Sequence, residues 1–234
     1  LSSPNLTERF VKSAMEAVKT VGFAGMEIAF SPVPTGDAAR YNELLPALAG
    51  LCEEHGLHLL TPWLPNLPDA EGTASHPMDT ACLVPVWSYL YDDGKNASPA
   101  APLDRIKSAL SADFATRYAK KLLLGMPTFG IDYTRAANGY RKRAVEPEPL
   151  LRTLVPPPEI RFDETAGTPR ATYSEDVRHS PTTHMLCYED AHSYAAKLAL
   201  VKQLGLCGVS VCSLAYDAPV FWQLLNQTCT VAKY

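Results

Sequence analysis

Apolar positions recur at helical spacing early in the chain: Tyr41, Leu44, Leu45, Leu48 and Leu51 mark a helix from about Ala38 to His55, and Gly56 stops it. A short apolar run, Leu57 to Thr61, follows and reads as a strand. The same order stands before it, with Phe10, Ala14 and Val18 on a helix from about Thr7 to Thr20 and a strand from Gly25 to Phe30. Further on, Leu103, Ile106 and Leu110 mark a helix leading into a strand at Leu122 to Met126. Tyr194, Leu198 and Val201 mark another, leading through Gly205 into a strand from Gly208 to Leu214, and a strand at about Ala81 to Val86 completes the series. Helix alternating with strand predicts a parallel sheet. Five strands are too few to close an eight-stranded barrel, and the chain reads as the later part of one.

Between Tyr133 and Met185 this rhythm is lost. The stretch holds Arg141-Lys142-Arg143 and Pro156-Pro157-Pro158 and is too long for a plain connection, so it reads as an inserted loop or small subdomain. The expected organisation is a barrel portion at 1–133, the insertion at 134–184 and a closing portion at 185–234 with the last strand and a terminal helix. The basic triplet reads as a solvated face.

The 234 residues carry 21 Lys and Arg against 25 Asp and Glu, a net charge of −4. That balance gives no footprint for nucleic acid or an anionic membrane surface. The uncharged run from Gln203 to Tyr216 is too short to span a bilayer and is broken by Gly205 and Gly208. Three N-x-Ser/Thr sequons, at Asn5, Asn96 and Asn226, favour a secretory route and a glycoprotein. Six cysteines, an even number, fit an oxidising compartment and one or two disulfides, with buried thiols as the alternative. No Cys or His spacing suggests a metal site, no glycine motif suggests a phosphate site, and no cofactor is expected.

Several segments, in order, resemble the family 18 glycoside hydrolases, the chitinases and their lysosomal chitobiase relatives. Lys121-Leu122-Leu123-Leu124-Gly125-Met126-Pro127-Thr128-Phe129-Gly130 is similar to the seventh-strand signature K-L-x-x-G-x-P-x-Y-G. Tyr188-Glu189-Asp190-Ala191-His192-Ser193, with Lys197 beyond it, resembles the opening of the last helix before strand eight. Gly208 to Ser213 stands where the family has G-V-M-I-W-E, and Trp87-Ser88-Tyr89 stands for its M-x-Y-D. Gly22-Phe23-Ala24-Gly25-Met26-Glu27-Ile28-Ala29-Phe30-Ser31 resembles the strand-four motif G-F-D-G-x-D-x-D-x-E. The resemblance implies a (β/α)8 TIM barrel of which strands four to eight are present, with an insertion after strand seven, the first three strands belonging to an upstream or companion N-terminal fragment.

In that family hydrolysis is substrate-assisted: the strand-four Glu protonates the leaving oxygen while the substrate's acetamido group attacks. Residues two apart on a strand share a face, so Glu27, Ala29 and Ser31 fall where the resemblance implies Asp, Asp and Glu. A serine hydroxyl is a poor proton donor near neutral pH, and alanine offers no hydrogen bond. Glu27 lies four residues short of Ser31, about 13 Å deeper at ~3.3 Å per residue, and is expected to be a buried carboxylate held by hydrogen bonds. The aromatic floor under the sugar falls at Cys212, and the acetamido-holding pair at Tyr89 and Leu90. Trp63, Trp87, Tyr89 and Phe129, near strand ends, are the candidate substrate-binding residues, while Trp222 reads as core.

These residues together predict a secreted or lumenal chitinase-like protein without catalytic residues, serving assembly or carbohydrate binding, with a glycan or a protein as partner. The competing reading is an active glycosidase on N-acetylglucosamine-containing glycans, using a relocated carboxylate among Asp92, Asp93, Asp132 and Asp217.

Overall fold

A computed structural model of the chain describes residues 3–30, 35–63, 77–88, 96–136, 139–177 and 180–230. Helix α1 (Pro4–Val21) starts with Pro at its first turn, where a missing N–H costs nothing, and ends on Gly22 at φ +78°, whose N–H bonds the Val18 carbonyl at 3.0 Å. It is followed by β1 (Gly25–Glu27), α2 (Ala38–Glu54), β2 (His58–Leu60), α3 (Pro77–Thr80) and β3 (Val84–Val86). Then come α4 (Leu103–Ala109), α5 (Ala112–Tyr118) and β4 (Leu122–Pro127). At Gly25 β1 runs against β2 so that a Cβ there would overlap the His58 carbonyl.

After β4 the chain leaves the parallel region for β5 (Gly130–Ala136), β6 (Gly139–Val145), α6 (Pro147–Thr153), β7 (Glu159–Asp163), β8 (Thr168–Val177) and β9 (Ser180–Cys187). It returns through α7 (Ala191–Gln203), β10 (Gly208–Cys212) and α8 (Pro219–Thr228).

Every paired neighbour in the first region is parallel: β1 with β2, β3 with β4, and β4 with β10. Parallel bridges Leu60–Leu83 and Trp63–Val86 join β2 to β3, backed by the Trp63 N–H to the Pro85 carbonyl (2.9 Å) and the Trp87 N–H to the Trp63 carbonyl (2.9 Å). The spatial order β1-β2-β3-β4-β10 therefore follows the chain order, and β1 and β10 do not meet among the described residues. One strand face packs on the helices. Leu122, Leu124 and Met126 of β4 and Val84 and Val86 of β3 are buried with Ile106, Leu198, Val201 and Phe221. Met26, Ile28 and Leu59 pack in a second cluster with Leu44, Leu45 and Leu48 of α2. Each such fully buried side chain contributes about 1.5–3 kcal/mol relative to exposure.

Strands β5 to β9 form a separate five-stranded antiparallel sheet in the order β6-β5-β9-β8-β7. The stretch expected as an inserted loop or small subdomain carries a sheet whose strands run from Gly130 to Cys187. Arg141-Lys142-Arg143 lies on β6, an edge strand, where exposed cations discourage pairing with another chain. One face of the sheet packs Ala171, Tyr173 and Leu186 against Leu150, Leu151 and Leu154 of α6 and the residue after it. The other packs Tyr133 and Cys187 on Ala97.

The one or two disulfides expected are not found among the described residues, and the alternative of buried thiols holds for two of the six cysteines. Cys52 and Cys187 are buried thiols and Cys82 and Cys207 are exposed ones, with no disulfide among the described residues. The Cys82 Sγ is turned onto the Leu59 carbonyl at 2.9 Å, and the ladder neighbours of Cys187 are Ile131 and Arg170. No helix among the described residues is long and apolar enough to cross a membrane.

Candidate functional site

In a parallel α/β sheet, ligands meet the C-terminal strand ends, so that rim is the candidate site. Along β1, Met26 and Ile28 face the helices. Gly25, Glu27 and Ala29 alternate with them onto the opposite face. Glu27 is exposed there rather than buried, because β1 pairs with β2 on one side only among the described residues. Desolvation by the nearby protein still pushes its carboxyl above the usual range. Ala29 is exposed and brings no polar atom to the face. Ser31, Tyr89, Leu90, Asp92 and Asp93 lie outside the described residues.

The three remaining candidate aromatics are half-buried and pack on the main core. Trp63 continues the face of Leu59, and its ring lies 4.7 Å from that of Phe114 on α5, in the layer between strands and helices. Trp87 alternates with Val84 and Val86 onto the other face. Phe129, just past β4, stands 5.7 Å from Tyr216 beyond β10. The strand alternation thus turns Trp63 under α5 and Trp87 onto the opposite face. Trp222 is half-buried and edge-on to Phe221 at 5.0 Å.

The Tyr188-to-Lys197 motif has a structural explanation. Asp190 caps α7: its carboxylate accepts the Ser193 N–H at 2.8 Å, and the Ser193 Oγ accepts the Asp190 N–H at 2.8 Å. Lys197, 0% exposed, donates to Glu189 at 2.6 Å. Burial pushes the Glu189 carboxyl up, and the Lys197 ammonium opposes that rise. The Tyr194 hydroxyl donates to the Pro127 carbonyl at 2.9 Å and so ties α7 to the end of β4.

Asp132, a candidate relocated carboxylate, lies in the inserted sheet with its side chain 1% exposed. It accepts from Arg143 of β6 at 2.9 Å and stands 3.1 Å from the Nδ1 of His184 on β9, whose ring stacks on Tyr173 at 4.8 Å. Burial, then Asp132, raises the Tyr173 hydroxyl pKa. A carboxylate so fully engaged is not placed to give a proton to a substrate. Asp217 is exposed beyond β10, and its N–H reaches Glu146 at 3.5 Å. The sequence offered Asp132 but not its partners, because the β5–β9 pairing that joins Asp132 to His184 is non-local. The sequon residues Asn5 and Asn226 are exposed on helices α1 and α8, and the hydroxyls of Thr7 and Thr228 donate to helix carbonyls. No group of three or more possible metal ligands occurs among the described residues.

The family model described as glycosyl hydrolases family 18 matches residues 1–217. A cortical fragment-lytic enzyme of Bacillus subtilis (strain 168) is 28% identical over all of this chain and 56% of its own length. An uncharacterized glycosylase of the same organism, YvbX, is 23% identical over 97% of this chain and 67% of its length. Among solved structures, the Bacillus cereus spore cortex-lytic enzyme SleL superposes with a TM-score of 0.83 at 22% identity, covering all of this chain and 55% of that one. A chitinase from Chromobacterium violaceum ATCC 12472 gives 0.80 at 20% identity, covering 96% of this chain and 72% of that one. The chain thus spans little more than half the length of the cortical fragment-lytic enzyme it matches. With nearly its whole length matched by the family model and its mixed α/β fold shared with these structures, the chain belongs to the family 18 glycosyl hydrolases.

Proposed function

We propose that this family 18 chain acts without hydrolysis, as a chitinase-like glycan-binding or assembly component. The observation that carries the reading is the β1 face, where Glu27 is followed by an exposed Ala29 and, two residues on in the sequence, by Ser31. The family's proton donor has no equivalent in that series. The substitutes weighed from the sequence do not fill the gap among the described residues: Asp132 is saturated with partners inside the inserted sheet, and Asp217 is an exposed loop residue. Cys212 in place of an aromatic floor removes the flat apolar surface that would orient a sugar for cleavage.

The parallel order β1-β2-β3-β4-β10, with helices on one face, supports placing the five strands as strands four to eight of a (β/α)8 barrel. Names of relatives that include lytic enzymes and chitinases make an N-acetylglucosamine glycan the ligand class to test first. The test is calorimetric titration with the N-acetylglucosamine tetramer, with the sugar recovered afterwards and weighed by mass spectrometry. Saturable heat with intact tetramer supports glycan binding, absence of heat supports the assembly role, and recovery of shorter sugars overturns the proposal.

A further inference from the structure

We infer that this chain self-associates: an apolar groove of about 550 Å³, lined by α1 and α2 and by no strand residue, receives the same surface of a second copy. The inference goes beyond the functional reading above and holds whether or not the chain cleaves glycans.

The groove floor follows from the spacing of residues on two helices. On α1, Val11 and Met15 stand four residues apart and so lie one above the other. Leu51 and His55 repeat that spacing on α2, and the His55 Nδ1 stands 3.0 Å from the Leu51 carbonyl, which ties the ring back along its own helix. Met15 is buried in the second cluster, with Val11 and Leu51 half-buried beside it. The floor thus carries the core out to solvent as hydrocarbon and thioether surface, which gains by being covered with apolar side chains.

The rim selects what covers it. Glu8, Lys12, Glu16 and Lys19 line the groove at spacings of four, four and three, so they form one exposed stripe of alternating sign along α1. Glu8 and Lys12, like Lys12 and Glu16, are spaced for pairing along the helix, yet none of the four is in an ion pair among the described residues. The stripe sums to zero charge and is its own complement when reversed. A second α1 laid antiparallel about a two-fold axis between Ser13 and Ala14 sets Glu8 opposite the partner's Lys19. It also brings Lys12 within one residue of the partner's Glu16, and Val11 within one residue of the partner's Met15. Each of these matches occurs twice. The register overlaps the helices from Leu6 to Val21, nearly all of an 18-residue helix about 27 Å long at 1.5 Å per residue.

A parallel, in-register arrangement would set Glu8 against Glu8 and Lys12 against Lys12, so charge disfavours it. An apolar small molecule would cover the floor and leave the stripe unused. Because one patch serves both copies, the contact closes at two and leaves no groove free for a third.

The test is sedimentation velocity of the purified chain in low salt, from about 1 to about 200 µM, a range that reads micromolar affinities directly. The expected result is a reversible species of twice the chain mass. Lys12→Glu with Lys19→Glu makes the stripe wholly acidic, and Glu8→Lys with Glu16→Lys makes it wholly basic. Each double variant should self-associate at least tenfold more weakly than the parent. Mixed in equal amounts the two should recover the dimer, since each then faces its opposite. All four positions are exposed, and circular dichroism like the parent's checks that each variant is folded. Lys202→Glu, at an exposed position of α7, should associate like the parent. A parent that stays monomeric at the highest concentration leaves the groove to a different occupant and overturns the proposal. Folded double variants that dimerise like the parent, or that stay monomeric when mixed, overturn it as well. Cleavage of the N-acetylglucosamine tetramer would refute the non-hydrolytic reading and leave this result untouched.

Discussion

The inserted sheet and the rim strand β1 treat their carboxylates in opposite ways. In the inserted sheet, Asp132 is buried and engaged by Arg143 and His184, and at the β7–β8 hairpin Asp163 is engaged by Arg170 and two backbone amides. On β1 of the parallel region, Glu27 stands exposed and the next position on its face is Ala29. The chain therefore does not lack buried acidic groups with partners. Under the non-hydrolytic reading proposed above, the β1 series offers none where family 18 chemistry would use it, while the helix-facing layer beneath remains packed with Leu122, Leu124 and Met126. Packing on one strand face and chemistry on the other are separable because successive side chains point opposite ways.

The largest effect that would sharpen this contrast is expected at the buried ion pair. Lys197→Met leaves Glu189 buried without its cation and should cost about 3–5 kcal/mol in urea unfolding. Adding Glu189→Gln should recover part of that loss, and a single variant within 0.5 kcal/mol of the parent would show that the pair is not structural. Leu124→Ala, in the helix-facing layer, is expected to cost about 2–5 kcal/mol, whereas Val155→Ala, 92% exposed, should stay within ±0.5 kcal/mol. Asp132→Asn tests the inserted sheet: an expected loss of about 1–3 kcal/mol, read from the denaturant midpoint, would confirm that its carboxylate serves the sheet.

The smallest effect is on alkaline stability. Burial raises the Cys187 thiol to about 11. The unfolded thiol loses its proton first, from its ordinary 9.0, so the folded form binds more protons between these values. This contribution is complete below pH 9 and falls as pH rises through 11. Burial raises Tyr173 and Tyr194 as well, in the same direction. Denaturant midpoints at pH 8, 9.5 and 11 should decline, and Cys187→Ala should flatten the decline.

The parallel region was legible because each of its strands is a short apolar run bounded by a helix with a clear apolar stripe, as at Leu44, Leu45 and Leu48 before His58–Leu60. The inserted sheet was not. Its edge strands β6 and β7 are exposed and charged along much of their length, so no alternation of apolar and polar residues marks them. Trp63 shows the limit at the site itself. Its nearness to a strand end could be read from sequence, but the side it faces depends on sharing the face of Leu59 and meeting Phe114, a contact between distant segments.

The central claim is tested most directly by reducing-end release from the N-acetylglucosamine tetramer, measured for the parent, Glu27→Gln and Asp217→Asn across pH 4 to 8. All three proteins are predicted to match buffer alone at every pH. Turnover by the parent that either substitution removes would contradict the account, by showing that one of these carboxylates serves as the proton donor.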